Sequence, residues 1–369
     1  MKQAPPWEGL EAESRRARLA AFERVAREIG ATHLATGHTA DDQAETVLMR
    51  LLQGAGPRGL GGIAPVRGNR IRPLIEVRRA DILEHLRHRG LAWVEDPSNA
   101  DVRFLRNRIR HDLLPFMAEL AGAPVVESLC RSAAAVRALV ADLEARARTE
   151  LARVATHDGA GVTMDVAALE AVSVELAAEI LRQAAAAQGE TRPLRGAAQR
   201  AIRELLAGAP RRRAARLGRL VVERSGRRIR VGPPALPSLP SRTWIPAGAL
   251  DLPETGQRLT ASLLPGADYA VPRDIRRVAF DAELLPAVLT VRARRRGDVF
   301  APFGAPAAGP AAVRRLKAFL IDAHIPRWQR PRTPIVEAEG QIIWVAGVRR
   351  GRLAPVTSAT TRVLELTLG

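Results

Sequence analysis

Ten residues, Gly37-His38-Thr39-Ala40-Asp41-Asp42-Gln43-Ala44-Glu45-Thr46, restrict what this chain can fold into more than any other stretch. Thr32 to Thr36 ahead of them read as a short buried strand. Val47, Leu48, Leu51 and Leu52 behind them recur at helical spacing, so the ten residues are expected on the turn from a strand into a helix. Thr39 suits an N-cap, with Asp42 three residues on in the manner of a capping box. Asp41, Asp42 and Glu45 then crowd one end of that helix. One reading is that they complement the helix dipole, worth about 0.3–1 kcal/mol each. That accounts for one or two of them. Like charges at this spacing repel, and the residues four positions on are Glu45, Thr46 and Met49, none of them basic. The second reading is that the turn is kept acidic for an outside cation, a Mg²⁺ ion or an amine. A strand end running into a helix N-terminus is also where open α/β sheets hold ligands.

The acidity stands out because the chain is strongly basic. Its formal net charge is +18 over 369 residues, and Lys2 and Lys317 are its only lysines. A charge of this size favours a polyanionic partner, although an arginine-rich composition in an ordinary soluble protein gives the same total. The length suits two or three domains, and 47% hydrophobic residues suffice for folded cores. Cys130 stands alone, which excludes a disulfide framework and a cysteine-based metal or iron–sulfur site. No apolar run approaches a membrane span and no signal-peptide core is present near Met1, so a cytoplasmic location without membrane contact is expected.

Residues 10–29 pattern as an amphipathic helix with Leu19, Phe22, Ala26 and Ile29 on one stripe and Gly30 as its stop. Helix, strand and acidic-turn helix follow the rhythm of a doubly wound sheet, which the chain enters in the middle. Gly54, Gly56 and Gly59 match G-x-G-x-x-G, but after a helix and with Pro57 inside, so a flexible glycine loop is expected there instead of a dinucleotide site. Ile71 to Ile75 read as an extended edge and Arg79 to Arg89 as a helix. A further helix carries Arg103, Arg106 and Arg110 on one face and Leu105, Ile109 and Leu113 on the other. Such an arginine face can clamp phosphate oxygens bidentately, or it can be a solvated face paired with Glu95 and Asp101.

Taken together, Gly37 to Thr46, Arg72-Pro73-Leu74, Trp93-Val94-Glu95-Asp96-Pro97-Ser98-Asn99 and Arg106-Asn107-Arg108-Ile109-Arg110 resemble, in order and spacing, the tRNA(Ile)-lysidine synthases of the PP-loop ATP pyrophosphatase group. The resemblance implies ATP and Mg²⁺ as cofactors. Its reaction adenylates the wobble cytidine of an isoleucine tRNA with a CAU anticodon, after which free L-lysine displaces AMP to give lysidine. It implies catalytic roles for Asp42, Glu45 and Arg110, and a substrate and nucleotide pocket flanked by His38, Asp41, Arg106 and Asn107. Asp41 or Asp42 is the candidate for Mg²⁺. The family's Ser-Gly-Gly-x-Asp-Ser phosphate loop does not occur in this sequence, and the resemblance places it upstream of Met1. Little adenylation is expected of the chain alone, and the alternative is a catalytically silent tRNA-binding fragment. A homodimer stays open.

The expected organisation is an α/β N-terminal domain over residues 1–115, a partial doubly wound, Rossmann-like sheet of the PP-loop type. A mainly helical domain follows over 116–232, then a linker with short strands over 233–290 and a small α+β C-terminal domain over 291–369. Residues 125–155 and 166–208 read as helical stretches around a break at Asp158-Gly159-Ala160-Gly161. Arg211, Arg212 and Arg213 form a basic run, and strand-like Leu220 to Val222 and Ile229 to Val231 flank Ser225-Gly226. Pro310 to Ala323 read as a helix, Pro334 to Ala338 and Gln341 to Ala346 as a hairpin, and Val363 to Leu368 as a last strand. The resemblance makes the helical and C-terminal blocks tRNA-binding, with Arg211, Arg212, Arg213, Arg314, Arg315, Lys317, Arg327 and Arg330 on phosphates, and Arg332 beside them. Trp328 and Trp344 are expected in the core.

Overall fold

The computed structural model describes residues 6–94, 101, 103–191, 196–207, 213–246, 248–304 and 313–369, and everything below refers to these. They fall into two units, Met1–Ala145 and Arg146–Gly369.

The first unit opens with α1 (Pro6–Glu28), which Gly30 ends at φ +66°. Strand β1 (Leu34–Ala35) leads into α2 (Ala40–Leu52), followed by α3 (Pro57–Leu60), β2 (Val66–Arg67), β3 (Arg70–Ile71) and α4 (Arg79–His88). The strands form a small sheet in the order β1-β3-β2, with β1 parallel to β3 and β2 antiparallel to it. Helix α5 (Leu105–Arg108) runs through a π-helical turn (Ile109–Leu113) into α6 (Leu114–Ala121), and α7 (Val125–Val154) comes next. Ala40, Ala44 and Leu48, spaced by four on α2, bury against Ile109, Leu114 and Val126 and form the core of this unit. Burial departs from the expected pattern on α1, where Ala26 is buried while Phe22 and Ile29 of the same stripe are exposed.

The glycine-rich stretch is not a flexible loop. Pro57 starts the short helix α3, and the Arg50 guanidinium donates to the carbonyls of Gly59 (2.8 Å) and Gly62 (2.7 Å). Gly62 sits at φ +67°, and a Cβ there would run into the Gln43 amide, which bonds the backbone of Ile63 from both ends.

In the second unit β4 (Thr156–Asp158) and β5 (Gly161–Asp165) make a hairpin at the break expected around Gly159. Three helices follow, α8 (Val166–Glu170), α9 (Val174–Ala186) and α10 (Gly196–Leu206), then β6 (Ala214–Leu217), β7 (Leu220–Ser225) and β8 (Arg228–Gly232). The strands close an antiparallel sheet in the order β4-β5-β8-β7-β6, with α9 against β8 and α10 against β6 and β7. Helices make up most of 116–232, and the strands expected near 220–222 and 229–231 are β7 and β8; that they join β4, β5 and β6 in one sheet is what the sequence did not show. Strand β6 follows directly on the basic run, so its inward alternation (Ala215 and Leu217) is easily lost in the charge.

Residues 233–290, expected as a linker with short strands, do carry short strands, and these are built into the remaining sheets. Strands β9 (Arg242–Trp244), β10 (Ala249–Leu252), β11 (Gln257–Pro265), β12 (Arg277–Asp281) and β13 (Leu289–Arg292) precede β14 (Val299–Phe300), β15 (Arg314–Arg315) and α11 (Leu316–Asp322). Strands β16 (Ile335–Ala338), β17 (Gln341–Val345), β18 (Arg349–Arg350) and β19 (Arg362–Leu368) complete the unit. The last strand, β19, lies between β11 and β12, while β9 and β13 join β16, β17 and β18 in a second sheet. Leu259, Phe280, Val291, Val336, Trp344 and Leu366 from both sheets share one core, which Leu239, between Pro237 and Pro240, also enters. The linker part of the reading fails because β11 and β12 pair with β19, about a hundred residues away, and local pattern carries no sign of that partner. The hairpin β16–β17 turns at Glu339 and Gly340, both at positive φ, as a two-residue loop requires. The helix expected from Pro310 is described as α11, since 305–312 lie outside the described residues. Among the described residues no single helix is long and apolar enough to cross a membrane.

Candidate functional site

Helix α2 begins as its sequence dictates. The Thr39 hydroxyl accepts from the Asp42 amide, and the Asp42 carboxylate accepts from the Thr39 amide at 2.8 Å, a closed capping box. This fixes Asp42 at the helix mouth. Glu45, one residue past the buried Ala44, is carried beneath the helix and has no solvent exposure. A buried carboxylate needs a partner. It finds two: Arg106 Nε lies 2.6 Å from Oε2 and Arg110 Nε 2.6 Å from Oε1. Arg106 also donates through Nη2 to Asp42 Oδ1 at 2.6 Å, and Arg110 Nη2 approaches the same oxygen at 3.8 Å. Ile109, buried against α2, is the anchor that aims both arginines at these acids.

The premise that no base offsets these acids, drawn from the residues one turn downstream, is corrected here. Their compensation comes from more than sixty residues away in sequence, from Arg106 and Arg110. The alternative pairing of the arginine face with Asp101 holds for Arg103 alone. Burial by itself would depress the Arg110 guanidinium, but hydrogen bonding to Glu45 and attraction from Glu45, Asp42 and Asp41 raise it above its ordinary value.

Asp41 points the other way. It takes the Arg79 amide at 2.7 Å, capping α4, and a bidentate contact from Arg78 (Nη2 3.1 Å, Nε 3.2 Å). Arg78 continues to Glu127 in the first turn of α7 at 2.6 Å. Burial opposes the charge on Arg78, but its bonds to Asp41 and Glu127 raise it overall, and Arg78 in turn holds the Glu127 carboxyl below the usual carboxylate range. Asp41, Glu45, Arg78 and Arg110 line the charged end of a cavity of about 280 Å³ whose other wall is Leu114, Pro115, Pro124 and Val125. The sequence reading missed Arg78 and Glu127, because an isolated arginine before a helix and a glutamate in a first turn look like ordinary surface charges.

Two flanking residues stand outside this cluster. His38 does not line the cavity, and its Nδ1 is 2.9 Å from the Thr36 hydroxyl on the strand side. Asn107 is buried and donates to the Asp101 carbonyl at 2.9 Å, bracing the turn before α5. Among the described residues no group of three His, Cys, Asp or Glu side chains could hold a metal ion. Asp41 is committed to Arg78 and Arg79, and Asp42 to Thr39 and Arg106, so these carboxylates do not fit a protein cage for Mg²⁺. Glu95 to Asn99 lie outside the described residues.

The second unit carries a basic cleft of about 800 Å³, lined by Arg213, Arg227, Arg228, Arg327 and Arg330 with His324 among them. The Arg327 amide donates to the Ser225 hydroxyl at 2.9 Å, tying the β7–β8 turn to the segment after α11. Burial and the like charges of Arg294 and Arg327 pull the Arg330 guanidinium below its ordinary value. Crowded positive charge of this kind suits a polyanion. Of the arginines expected on phosphates, the cleft thus gathers Arg213, Arg327 and Arg330. Arg314 is paired with Asp322 outside it, and Arg315 and Lys317 are exposed elsewhere. Arg332 is buried and donates to the Glu254 carbonyl at 2.5 Å, so it is no surface contact. Arg211 and Arg212 lie outside the described residues. Arg227 and Arg228 were missed, although their place beside Ser225-Gly226 was a signal. Trp328 and Trp344 are buried, as expected.

Comparison with known proteins matches residues 2–117 to a family described as the PP-loop domain and residues 289–365 to the TilS substrate C-terminal domain. The tRNA(Ile)-lysidine synthase of Symbiobacterium thermophilum is 34% identical over 384 residues, covering 97% of this chain and 77% of the relative. The protein of the same name from Ralstonia nicotianae is 37% identical over 367 residues, 94% and 73% of the two chains. That of Solibacter usitatus is 33% identical over 341 residues, 91% and 76%.

Proposed function

This chain belongs to the tRNA(Ile)-lysidine synthase family, and from that premise we propose that it ligates free L-lysine to the wobble cytidine of an isoleucine tRNA with a CAU anticodon, through an adenylated cytidine. ATP use follows from the PP-loop family. The observation that carries the reading is the convergence of Asp42, Glu45, Arg106 and Arg110 on one point beside a cavity with one charged end and one aliphatic wall. A triphosphate or an activated phosphate ester needs guanidinium groups, and a lysine side chain needs carboxylates for its ammonium and apolar walls for its methylenes.

The chemistry asked of these residues is positioning and charge stabilisation. Adenylation turns the cytidine oxygen into a good leaving group. Arg106 and Arg110 then hold the phosphate charge, while Asp42 and Glu45 bring the amine within reach. The amine must lose a proton before it attacks, and a carboxylate of this cluster is the acceptor. Asp41 and Asp42 are already bonded to Arg78, Arg79, Thr39 and Arg106, and no step is assigned to a metal held by them. The basic cleft of the second unit holds the tRNA backbone, and the enzyme works in the cytoplasm.

The test is incorporation of labelled lysine into a CAU-anticodon transcript with ATP. It is run on the chain alone and with a Ser-Gly-Gly-x-Asp-Ser segment joined ahead of it. Label in the transcript from the joined protein is the expected result. Retained tRNA binding with no incorporation by either protein would favour the silent tRNA-binding fragment instead.

A further inference from the structure

Both carboxylates and both guanidiniums of the α2 cluster are already satisfied by each other. Glu45 has each oxygen on an arginine Nε at 2.6 Å, and Asp42 divides its two oxygens between Arg106 and the Thr39 amide. The partners differ in freedom. The arginine side chains are 26% and 24% exposed and border open space, whereas Glu45 is 0% exposed and cannot turn to water. A phosphate anion that draws Arg106 and Arg110 toward itself leaves a buried carboxylate without compensation, which is among the costliest states in a protein. An ammonium group arriving in the same place removes that penalty. Conversely, an amine alone must compete with two guanidiniums for Glu45. Each ligand by itself breaks ion pairs; both together exchange them.

We propose that this internal ion-pair exchange couples the two substrates energetically, so that a polyphosphate anion and the ε-ammonium of lysine bind with positive cooperativity. The proposal rests on the placement of nucleotide and lysine at this cluster given above. It adds that each is bound tightly only in the presence of the other. Because linkage is reciprocal, the same factor must appear whichever ligand is varied.

The experiment is calorimetric titration of L-lysine into the folded chain, with and without saturating inorganic pyrophosphate at constant ionic strength. Lysine affinity should rise by at least about fivefold, within the usual range of coupling between sites. L-norleucine, which has the same chain without the ammonium, should show no such rise. In Glu45→Gln the buried charge is gone. Pyrophosphate alone should then bind more tightly than to the wild type, and its effect on lysine should vanish. Asp42→Asn carries the same prediction with a smaller effect, and decides the matter if Glu45→Gln does not fold. Lysine affinity that is unchanged or weakened by pyrophosphate overturns the proposal. So does a folded variant that binds pyrophosphate no better than the wild type. These are binding readouts, so the coupling can fail while lysine incorporation succeeds, and incorporation can fail while the coupling stands.

Discussion

Arg110 Nε lies 2.6 Å from Oε1 of Glu45, and the two residues meet although 65 positions separate them in the chain. Glu45 is fully buried and Arg110 three-quarters so. Arg106 covers the other carboxylate oxygen, so the pair belongs to a three-membered cluster. Such an arrangement is more than a surface salt bridge, because loss of the guanidiniums strands the Glu45 carboxylate out of water.

Glu45→Ala should therefore destabilise the first unit by about 3–5 kcal/mol, since it leaves two guanidiniums facing a small cavity. Arg110→Ala should cost less, because Arg106 still reaches Glu45, yet it should reduce lysine incorporation strongly. Urea unfolding beside the incorporation assay separates the two effects. Equal stability losses would show that the arginines do not share the load.

Asp41 and Asp42 are neighbours with opposite duties. Asp41→Ala removes the cap of α4 and the anchor of Arg78, and should cost about 1–2 kcal/mol. Asp42→Asn keeps the shape of the capping box, so it should abolish lysine incorporation while leaving tRNA affinity nearly intact. Filter binding and incorporation on both variants check this. A loss of tRNA affinity in Asp42→Asn would make the acidic turn structural.

Single replacements of Arg213, Arg327 or Arg330 by Ala should weaken tRNA binding and lower the slope of log affinity against log salt by about one each. Arg314→Ala should do less, because Asp322 already pairs with that side chain. Binding measured over a salt series decides. An unchanged slope removes the cleft from the RNA-binding surface.

Asp298 gives the second unit an acid sensitivity. Burial opposes its charge, but hydrogen bonds from Arg292 and from the Arg295 amide hold its carboxyl below the usual carboxylate range. The folded value lies below the unfolded one, about 3.9 for aspartate. Its contribution to stability is thus complete above the unfolded value and is lost as pH falls through the folded one. Urea midpoints taken from neutral pH downward should drop in acid for the wild type and drop less for Asp298→Asn. Parallel curves would show that the carboxyl is not held down by folding.

Gly62→Ala tests the pinned glycine segment. At φ +67°, with the Gln43 amide where a Cβ would go, the substitution should cost more than about 1 kcal/mol. Thermal unfolding reads the loss directly. No loss would mean that the segment is free to relax.

The sequence by itself determined what rests on neighbours in the chain: the Thr39–Asp42 capping box, the presence of a strand ahead of α2 (though Leu34–Ala35 is shorter than read and not buried), the extent of α7, the Glu339–Gly340 hairpin and the motif order that marks the family. Those features are decided by backbone preference and by periodicity over a few residues, and both can be read locally. Only the tertiary structure decided which charges meet. It gave Glu45 to Arg106 and Arg110, turned Asp41 toward Arg78 and Glu127, and sent Asn107 to the Asp101 turn. It also drew residues 233–290 into sheets completed by β19. In a chain with so many arginines every acid has many candidate partners along the sequence. The choice among them is made by burial, because Ile109 packed against α2 brings two particular guanidiniums to a carboxylate that cannot reach water.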